Sequence, residues 1–247
     1  MSDVKIDNLR VATWSHSTYK DVWPMYFGQL NQNAPGLKHC LVVDKDVPAP
    51  APGCRVIVNN ENDPYYKRFV ESFKKIDEEH VMYMQEDFIL YDKADMARIE
   101  GINSFLKDSP YSFIRMLKSG VAGGPKVHDD LNLFEIPRED FPQQYIFSYQ
   151  GAIWKKKDLV KLFEHFKPSG LIDGEKRGTG ACLQLGIRGC YVYNNERKRG
   201  NLHYDSEVFP YVSTAIHKGK WILSPYESIM NALIKTYNID PSIRGTF

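Results

Sequence analysis

His80-Val81-Met82-Tyr83-Met84-Gln85-Glu86-Asp87-Phe88-Ile89-Leu90 carries the strongest local signal in this chain of 247 residues. An apolar run, Val81 to Met84, ends in two adjacent carboxylates, and a second apolar triplet follows at once. A short apolar run with polar boundaries predicts a buried strand. An unpaired charge inside such a strand is costly, so Glu86 and Asp87 are expected where the strand leaves its sheet.

Upstream, Tyr65 to Glu79 places Phe69, Phe73 and Ile76 on one helical face. Before it, Arg55 to Val58 is an apolar run closed by Asn59-Asn60-Glu61-Asn62-Asp63-Pro64, and His39 to Val43 is another, closed by Asp44. Tyr19 to Gln32 carries Val22, Tyr26, Phe27 and Leu30 at helical spacing and stops at Pro35-Gly36. The first run, Leu9 to Thr13, ends in Trp14-Ser15-His16-Ser17. The order β-α-β-loop-β-α predicts a parallel sheet with helices on its faces. Such sheets bind ligands beyond the carboxyl ends of their strands, which directs attention to Thr13, Ser15, Asp44, Asn59 and Asn60.

Downstream, Asp95 to Leu106 reads as helix and Phe113 to Leu117 as strand. Gly120 to Pro142 is loop-rich, either an acceptor loop or lid or a plain surface excursion. Tyr145 to Ile153 returns to strand character, and Lys156 to Phe166 is an amphipathic helix. Leu171 to Gly180 is polar and Gly-rich, and Tyr191 to Tyr193 suits a late strand. Ser213 to Leu223 suits a strand or ordered loop, and Pro225 to Tyr237 a closing helix. Without repeats, low-complexity tracts or linkers, a single domain is expected over 1–247.

Composition narrows the class. Thirty-two basic residues against 31 acidic ones leave a formal charge of +1, without the basic excess that drives phosphate-backbone binding; no nucleic-acid partner is expected. Cys40, Cys54, Cys182 and Cys190 form no Cys-x-x-Cys pair, so they read as reduced core thiols. Residues 1–9 are polar and charged, unlike a signal peptide. No apolar stretch approaches the roughly 18–20 residues that span a bilayer. A cytoplasmic protein is expected. The aromatic share, 13%, suits a large core and equally sugar or base stacking.

Hard divalent cations take oxygen ligands and bridge carboxylates to substrate phosphates. Glu86-Asp87 therefore reads either as a metal site at the sheet's ligand-binding edge or as two solvated acids at a strand end. His217, within an apolar run, is a metal ligand or a structural histidine. Trp154 is a sugar-stacking surface or core.

Four stretches together resemble a family of small GT-A-type glycosyltransferases with bacterial, phage and giant-virus members. They are 65–90 with its Glu86-Asp87 variant of the Asp-x-Asp motif, Phe113-Ile114-Arg115-Met116-Leu117, Tyr149 to Leu159, and Ile216-His217-Lys218-Gly219-Lys220-Trp221. The resemblance implies a single-domain GT-A (Rossmann-like) α/β fold with a mixed, mostly parallel sheet. It implies a nucleotide-sugar-binding half at about 9–119, an acceptor half at about 143–223, and a C-terminal helix and tail from 225 to 247. Asp87 takes the metal position, with Glu86 as companion or donor-sugar contact. His217 falls where a late metal ligand or diphosphate contact stands, and Lys218 is placed to pair with phosphate. Thr13, Ser15 and Asn59 fall where base and ribose are held, and Arg68 or Lys67 is a candidate diphosphate contact. Leu171-Ile172-Asp173-Gly174-Glu175 takes the place of an acidic segment but lacks its Trp. Glu175 is the expected base for the acceptor hydroxyl, with Asp173 in reserve; both also suit the first turn of a helix.

The implied activity is transfer of a hexosyl or pentosyl group from a nucleotide-diphosphate sugar to a glycan or other hydroxyl acceptor, with Mn²⁺ or Mg²⁺ and with inversion preferred. Two alternatives stand beside it. A nucleotidyltransferase that makes nucleotide sugars also uses a metal and carboxylates, but it usually carries a Gly-rich phosphate loop, which Thr13 to Ser17 lacks. A non-catalytic carbohydrate-binding protein would keep the fold without metal-dependent nucleotide binding.

Overall fold

A computed structural model describes residues 6–138, 145–200 and 204–247 and centres on a nine-stranded sheet. The chain opens as β1 (Leu9–Trp14), α1 (Trp23–Asn33), β2 (Lys38–Val43), β3 (Arg55–Val58), α2 (Tyr65–Lys74) and β4 (His80–Gln85). This is the alternation expected from the sequence. α1 begins later than the periodicity from Tyr19 suggests, because a 3-10 turn occupies Ser17–Tyr19 and Pro24 sits in the helix's first turn. There follow α3 (Met96–Asp108), β5 (Phe113–Arg115), β6 (Lys126–His128), β7 (Leu133–Glu135), β8 (Ala152–Lys155), α4 (Lys156–Phe166), α5 (Leu171–Leu185) and β9 (Gly189–Val192). The hairpin β10 (Ile216–His217) and β11 (Lys220–Trp221) and the helix α6 (Glu227–Thr236) complete the order.

The strands lie in the order β3-β2-β1-β4-β8-β5-β9-β7-β6. The first four are parallel, and in the remainder only β8 and β7 run against that direction. The sheet is thus mixed and mostly parallel. Side chains alternate across it, as a strand period of two requires. Val11, Leu41, Met82 and Met84 join α1 and α3 in one apolar cluster, while Ala12, Val42, Val81 and Tyr83 join α2, α4 and α5 in another. The second cluster absorbs much of the aromatic content. Phe69 stacks on Phe163 at 3.7 Å and on Phe73 at 4.1 Å, and Trp154 stacks on Phe113 at 4.2 Å. Trp154 is 2% exposed and belongs to this core, not to a sugar-stacking surface. All four cysteines are buried and free. No helix among the described residues is long and apolar enough to cross a membrane.

Three segments depart from their sequence-based expectations. Gly120 to Pro142 holds the β6–β7 pair, and its last residues, 139–142, lie outside the described residues. The stretch expected as strand from Tyr145 enters the sheet only at Ala152. Its earlier carbonyls are taken by Arg115, whose buried guanidinium donates to the Tyr145 carbonyl at 2.6 Å, to that of Ile146 at 3.1 Å and to that of Ser119 at 3.0 Å. Burial lowers the Arg115 pKa to about 10. The Gly-rich stretch from Leu171 is helix α5. A Cβ on Gly174 would lie 2.0 Å from the Tyr149 hydroxyl, and one on Gly178 2.4 Å from the Phe147 ring. Those glycines let the helix press against residues 147–149.

At the opposite end of β1, Arg10 clamps Glu78 with bonds of 2.7 and 2.9 Å. Its guanidinium, with Lys38 nearby, holds the Glu78 carboxyl down to about 2. A depressed carboxylate contributes stability that is present above its unfolded pKa and lost as pH falls through the folded value. Glu78→Gln should therefore cost on the order of 2 kcal/mol near neutral pH, and the difference from wild type should close as pH falls toward about 2. Chemical denaturation across that range measures it; a constant difference would contradict the ion-pair account.

Candidate functional site

β1 and β4 are neighbours in parallel register, with Trp14 opposite Gln85. Ser15-His16 and Glu86-Asp87 therefore leave the sheet side by side at its carboxyl edge. After Gln85 the chain turns, the Phe88 amide donating to the Gln85 carbonyl at 3.0 Å. Residues 87–91 are then met by a returning segment: Tyr91 N–H donates to Pro210, Val212 N–H to Ile89 and Ala215 N–H to Asp87, at 3.0, 2.9 and 3.2 Å. The Ile216 amide adds a 3.3 Å bond to the Asp87 carboxylate. This zipper delivers the β10–β11 hairpin to the acidic pair. Its two-residue turn, Lys218-Gly219, has φ values of 48° and 79°. Positive φ at both positions is the requirement of a type I′ hairpin.

The result is a cleft in two lobes. The larger, about 390 Å³, is lined by Glu86, Asp87, Ser15, His16, His217 and Lys218, with Trp14, Tyr19 and Ile216 beside them. The smaller, about 180 Å³, shares Gln85 and Asp87 and adds Tyr149, Gln150, Glu175 and Thr214. Leu171 and Ile172 line both lobes, and Ile172 is 74% exposed. A wider hollow of about 610 Å³ lies between α3 and the 128–131 turn, but its two acids, Asp108 and Asp130, are not buried as Glu86 and Asp87 are. Chemistry, not size, singles out the cleft.

Both acids are buried. Burial pushes the Glu86 carboxyl up, and the neighbouring Asp87 charge adds to the rise. Burial likewise raises Asp87, against the backbone N–H groups that stabilise its charge. Two carboxylates so close and so dry resist ionising together. Trp23 donates its indole N–H to the Ser15 hydroxyl at 2.9 Å, and that hydroxyl bonds the Glu86 carboxylate, which fixes its position. In the smaller lobe Glu175 is exposed at its outer side, and partial desolvation against the lobe raises its carboxyl, while a backbone bond from Tyr149 and the charge of Arg115 oppose the rise.

Of the residues named from the sequence, Ser15, Glu86, Asp87, Glu175, His217 and Lys218 line this cleft. The structure does not bring the others to it. Thr13 points into the core, its hydroxyl 2.9 Å from that of Tyr26. Asp173 accepts the Ser169 amide and pairs with Arg177, each at 2.9 Å, so it serves the start of α5. Lys67 pairs with Asp63 at 2.8 Å. Asn59 and Arg68 both line a separate depression beside β3. Sequence reading missed Tyr19, Gln150 and Arg244. Tyr19 lies just beyond the first strand, where a closer look at its carboxyl end would have found it. Arg244 sits 4.6 Å over the Tyr19 ring, tied to Asp21, and its charge lowers the Glu86 pKa; no local pattern marks it.

Among the described residues, the one tight group of possible metal ligands is His16, Asp44 and Glu61. The imidazole argues against a cation there. Thr18 N–H donates to His16 Nδ1 at 3.2 Å, which leaves the proton on Nε2, 3.0 Å from Glu61. A ligating Nε2 would have to lose it. Asp44 is likewise committed, accepting the Ser17 hydroxyl at 2.7 Å. Asp87 and His217 share the cleft without forming such a group. Cations of the Mg²⁺ type need only one or two protein carboxylates when substrate phosphates supply further oxygens, and the buried acidic pair offers a donor set of that kind.

No protein-family model matches the chain, and no curated protein matches it. Among solved structures the fold is similar to a cytidylyltransferase from Leptospira borgpetersenii serovar Hardjo-bovis, with TM-score 0.48 and 11% identity over 95% of this chain and 97% of that one. It is also similar to CMP:2-keto-3-deoxy-manno-octonic acid synthetase complexed with CTP, with TM-score 0.48 and 12% identity over 93% and 98%. A third similar structure is a mannosyltransferase from Pyrobaculum calidifontis in complex with GDP-Man and Mn²⁺, with TM-score 0.46 and 11% identity over 78% of this chain and 58% of that one. Likeness at this level is one of general architecture and assigns no chemistry.

The raised carboxyls have a consequence for stability. Between their unfolded pKa values, near 4, and the raised folded ones, the native state holds more protons than the unfolded chain. Their contribution is therefore full below about pH 4 and is lost as pH rises through the folded values. Asp87→Asn keeps an acceptor for Ile216 N–H and carries no charge at any pH. In metal-free buffer it should melt a few degrees above wild type at about pH 8 and show no gain near pH 4. Calorimetry at the two pH values decides; a variant equal to or below wild type at both would contradict the desolvated-pair account.

Proposed function

We propose that the chain is a divalent-cation-dependent glycosyltransferase that moves a sugar from a nucleoside-diphosphate donor to a hydroxyl acceptor with inversion. The observation that supports it is the buried acidic pair at the junction of two lobes, with a third carboxylate, that of Glu175, across the smaller one. Asp87, with Glu86 and with His217 as a further candidate ligand, would hold Mn²⁺ or Mg²⁺. When bound there, such an ion supplies neutralisation of the charge that collects on a departing diphosphate.

The chain's own groups divide the rest of the work. Ser15 and Trp23 orient Glu86, and Lys218, on its rigid hairpin turn, adds positive charge for the diphosphate in the larger lobe. The acceptor hydroxyl enters the smaller lobe beside Glu175. Its oxygen bonds to the anomeric carbon as the bond from that carbon to the β-phosphate oxygen breaks. The hydroxyl proton passes to Glu175, and the electron pair of the broken bond leaves with the nucleoside diphosphate. The raised carboxyl makes Glu175 a better proton acceptor than an ordinary glutamate. Leu171 and Ile172 are placed to exclude water where the lobes meet.

The nucleotidyltransferase reading remains the competitor. The turn after β1, Trp14-Ser15-His16-Ser17, carries no glycine for a phosphate-cradling loop, and this favours the glycosyltransferase. The test is turnover of UDP- and GDP-sugars with Mn²⁺, beside a parallel assay for pyrophosphate release from nucleoside triphosphate and sugar. Asp87→Asn should lower nucleoside-diphosphate release by at least about a hundredfold while the protein stays folded. Glu175→Gln should retain donor binding and lose about a hundredfold or more in transfer. The acidic limb of the kcat/KM profile should lie above the ordinary carboxylate range, with activity rising as Glu175 loses its proton. Undiminished transfer by Asp87→Asn, or pyrophosphate release in place of nucleoside diphosphate, would overturn the proposal.

A further inference from the structure

The two walls of the larger lobe come from distant parts of the chain. One is the turn after β1, with Ser15, His16 and Tyr19; the other is the β10–β11 hairpin, with His217 and Lys218. Among the described residues no hydrogen bond joins these walls directly.

Residues 240–247 supply the join. Asp240 starts a compact turn, accepting the Ser242 amide at 2.9 Å and its hydroxyl at 2.7 Å, and the Gly245 amide closes on the Pro241 carbonyl at 2.9 Å. Residues 245–247 then run beside β11: Trp221 N–H donates to the Gly245 carbonyl and Phe247 N–H to that of Trp221, each at 3.0 Å. This pairing delivers Arg244, whose side chain is only 12% exposed, to the space behind Tyr19.

There the guanidinium reaches both walls. On the β1 side Nε donates to Asp21 Oδ2 at 2.6 Å, and Nη2 donates to Asp21 Oδ1 and, at 2.9 Å, to the Thr18 carbonyl. The central carbon of the group lies 4.6 Å from the centre of the Tyr19 ring. On the hairpin side Nη1 donates to the Gly219 carbonyl at 3.4 Å. A bidentate Arg–carboxylate pair fixes orientation as well as distance. Gly219 follows Lys218 in the hairpin turn, so this bond and the β11 pairing hold the Lys218 wall at a set distance from Tyr19. Arg244 itself does not line the lobe and acts through these neighbours.

We propose, on the reading of the larger lobe as a nucleotide site, that Arg244 is its positioning residue and sets the gap in which a nucleoside diphosphate binds. Walls that are held before the ligand arrives need no ordering at the moment of binding, a cost otherwise taken from affinity. Loss of Arg244 frees the hairpin turn and the Tyr19 ring together, and the diphosphate then has to order both.

Titration calorimetry of the full chain with UDP, GDP, CDP and ADP, each with Mn²⁺, tests this. For the diphosphate that binds wild type most tightly, Arg244→Ala should raise Kd about tenfold or more. Circular dichroism at the assay temperature separates this from unfolding, because a folded fraction above about nine-tenths changes Kd by only about 10%. Arg244→Lys keeps the charge without the fork and should weaken binding nearly as much. Asp21→Asn, at a half-exposed position, distinguishes positioning from plain electrostatics. Removal of a negative charge would by itself tighten an anion, whereas a loosened tether should raise Kd a few-fold. In the Arg244→Ala background Asp21→Asn should add no further weakening, since both changes act on one tether. Unchanged Kd in Arg244→Ala, wild-type affinity in Arg244→Lys, or unchanged or tighter binding in Asp21→Asn would each overturn the positioning role and leave the nucleotide reading intact. No binding of any of the four diphosphates to wild type with Mn²⁺ would overturn the nucleotide reading and this role with it.

Discussion

Two carboxylates in succession at the end of a buried strand are an electrostatic liability, and the architecture around β4 manages it. Glu86 and Asp87 are desolvated and adjacent, so each makes ionisation of the other harder. The chain responds with donors: the Ile216 amide on Asp87, and the Ser15 hydroxyl, itself fixed by Trp23, on Glu86. The returning segment 210–216 makes this possible, since its backbone pairs with residues 87–91 and carries His217 and Lys218 to the same place. Remove the zipper and Asp87 loses its amide donor and both acids lose the far wall of their cleft.

A pair held in this way costs stability near neutral pH, which a protein retains at functional sites and compensates elsewhere. The compensation is visible in the aromatic cluster of α2 and α4 against the sheet, and in the Arg10–Glu78 clamp at the far end of β1. Arg115 contributes differently. Among the described residues its buried guanidinium donates to carbonyls, which shapes residues 145–146, and it lies close enough to Glu175 to favour that carboxylate's charged form.

Much of this was legible in the sequence. Short apolar runs alternating with helical faces announced β1 to β4, and Lys156–Phe166 was readable to the residue. The acidic pair and Ser15, read from the ends of apolar runs, share one cleft with Glu175, His217 and Lys218, to which the family resemblance pointed. What failed did so for geometric reasons. Thr13 stands one residue before the end of β1, and the two-residue period turns it toward Tyr26 in the core. Asn59 ends a strand just as Ser15 does, but β3 lies two places from β1, and strand order is not written in any local pattern. α5 was obscured because Gly174 and Gly178 look like loop residues until the rings of Tyr149 and Phe147 are packed against them. Arg244 comes from the far end of the chain to stand behind Tyr19, on the wall of the cleft, through tertiary contacts.

The central claim is that the acidic pair grips a cation which in turn holds a diphosphate. A thermal-shift comparison of nucleoside mono- and diphosphates, with and without Mn²⁺, tests it most directly, because a ligand that binds only the native state raises its melting temperature. The account predicts a shift with one nucleoside diphosphate that requires Mn²⁺ and vanishes in Asp87→Asn. Shifts of equal size with and without the ion, or no shift with any diphosphate, would contradict it.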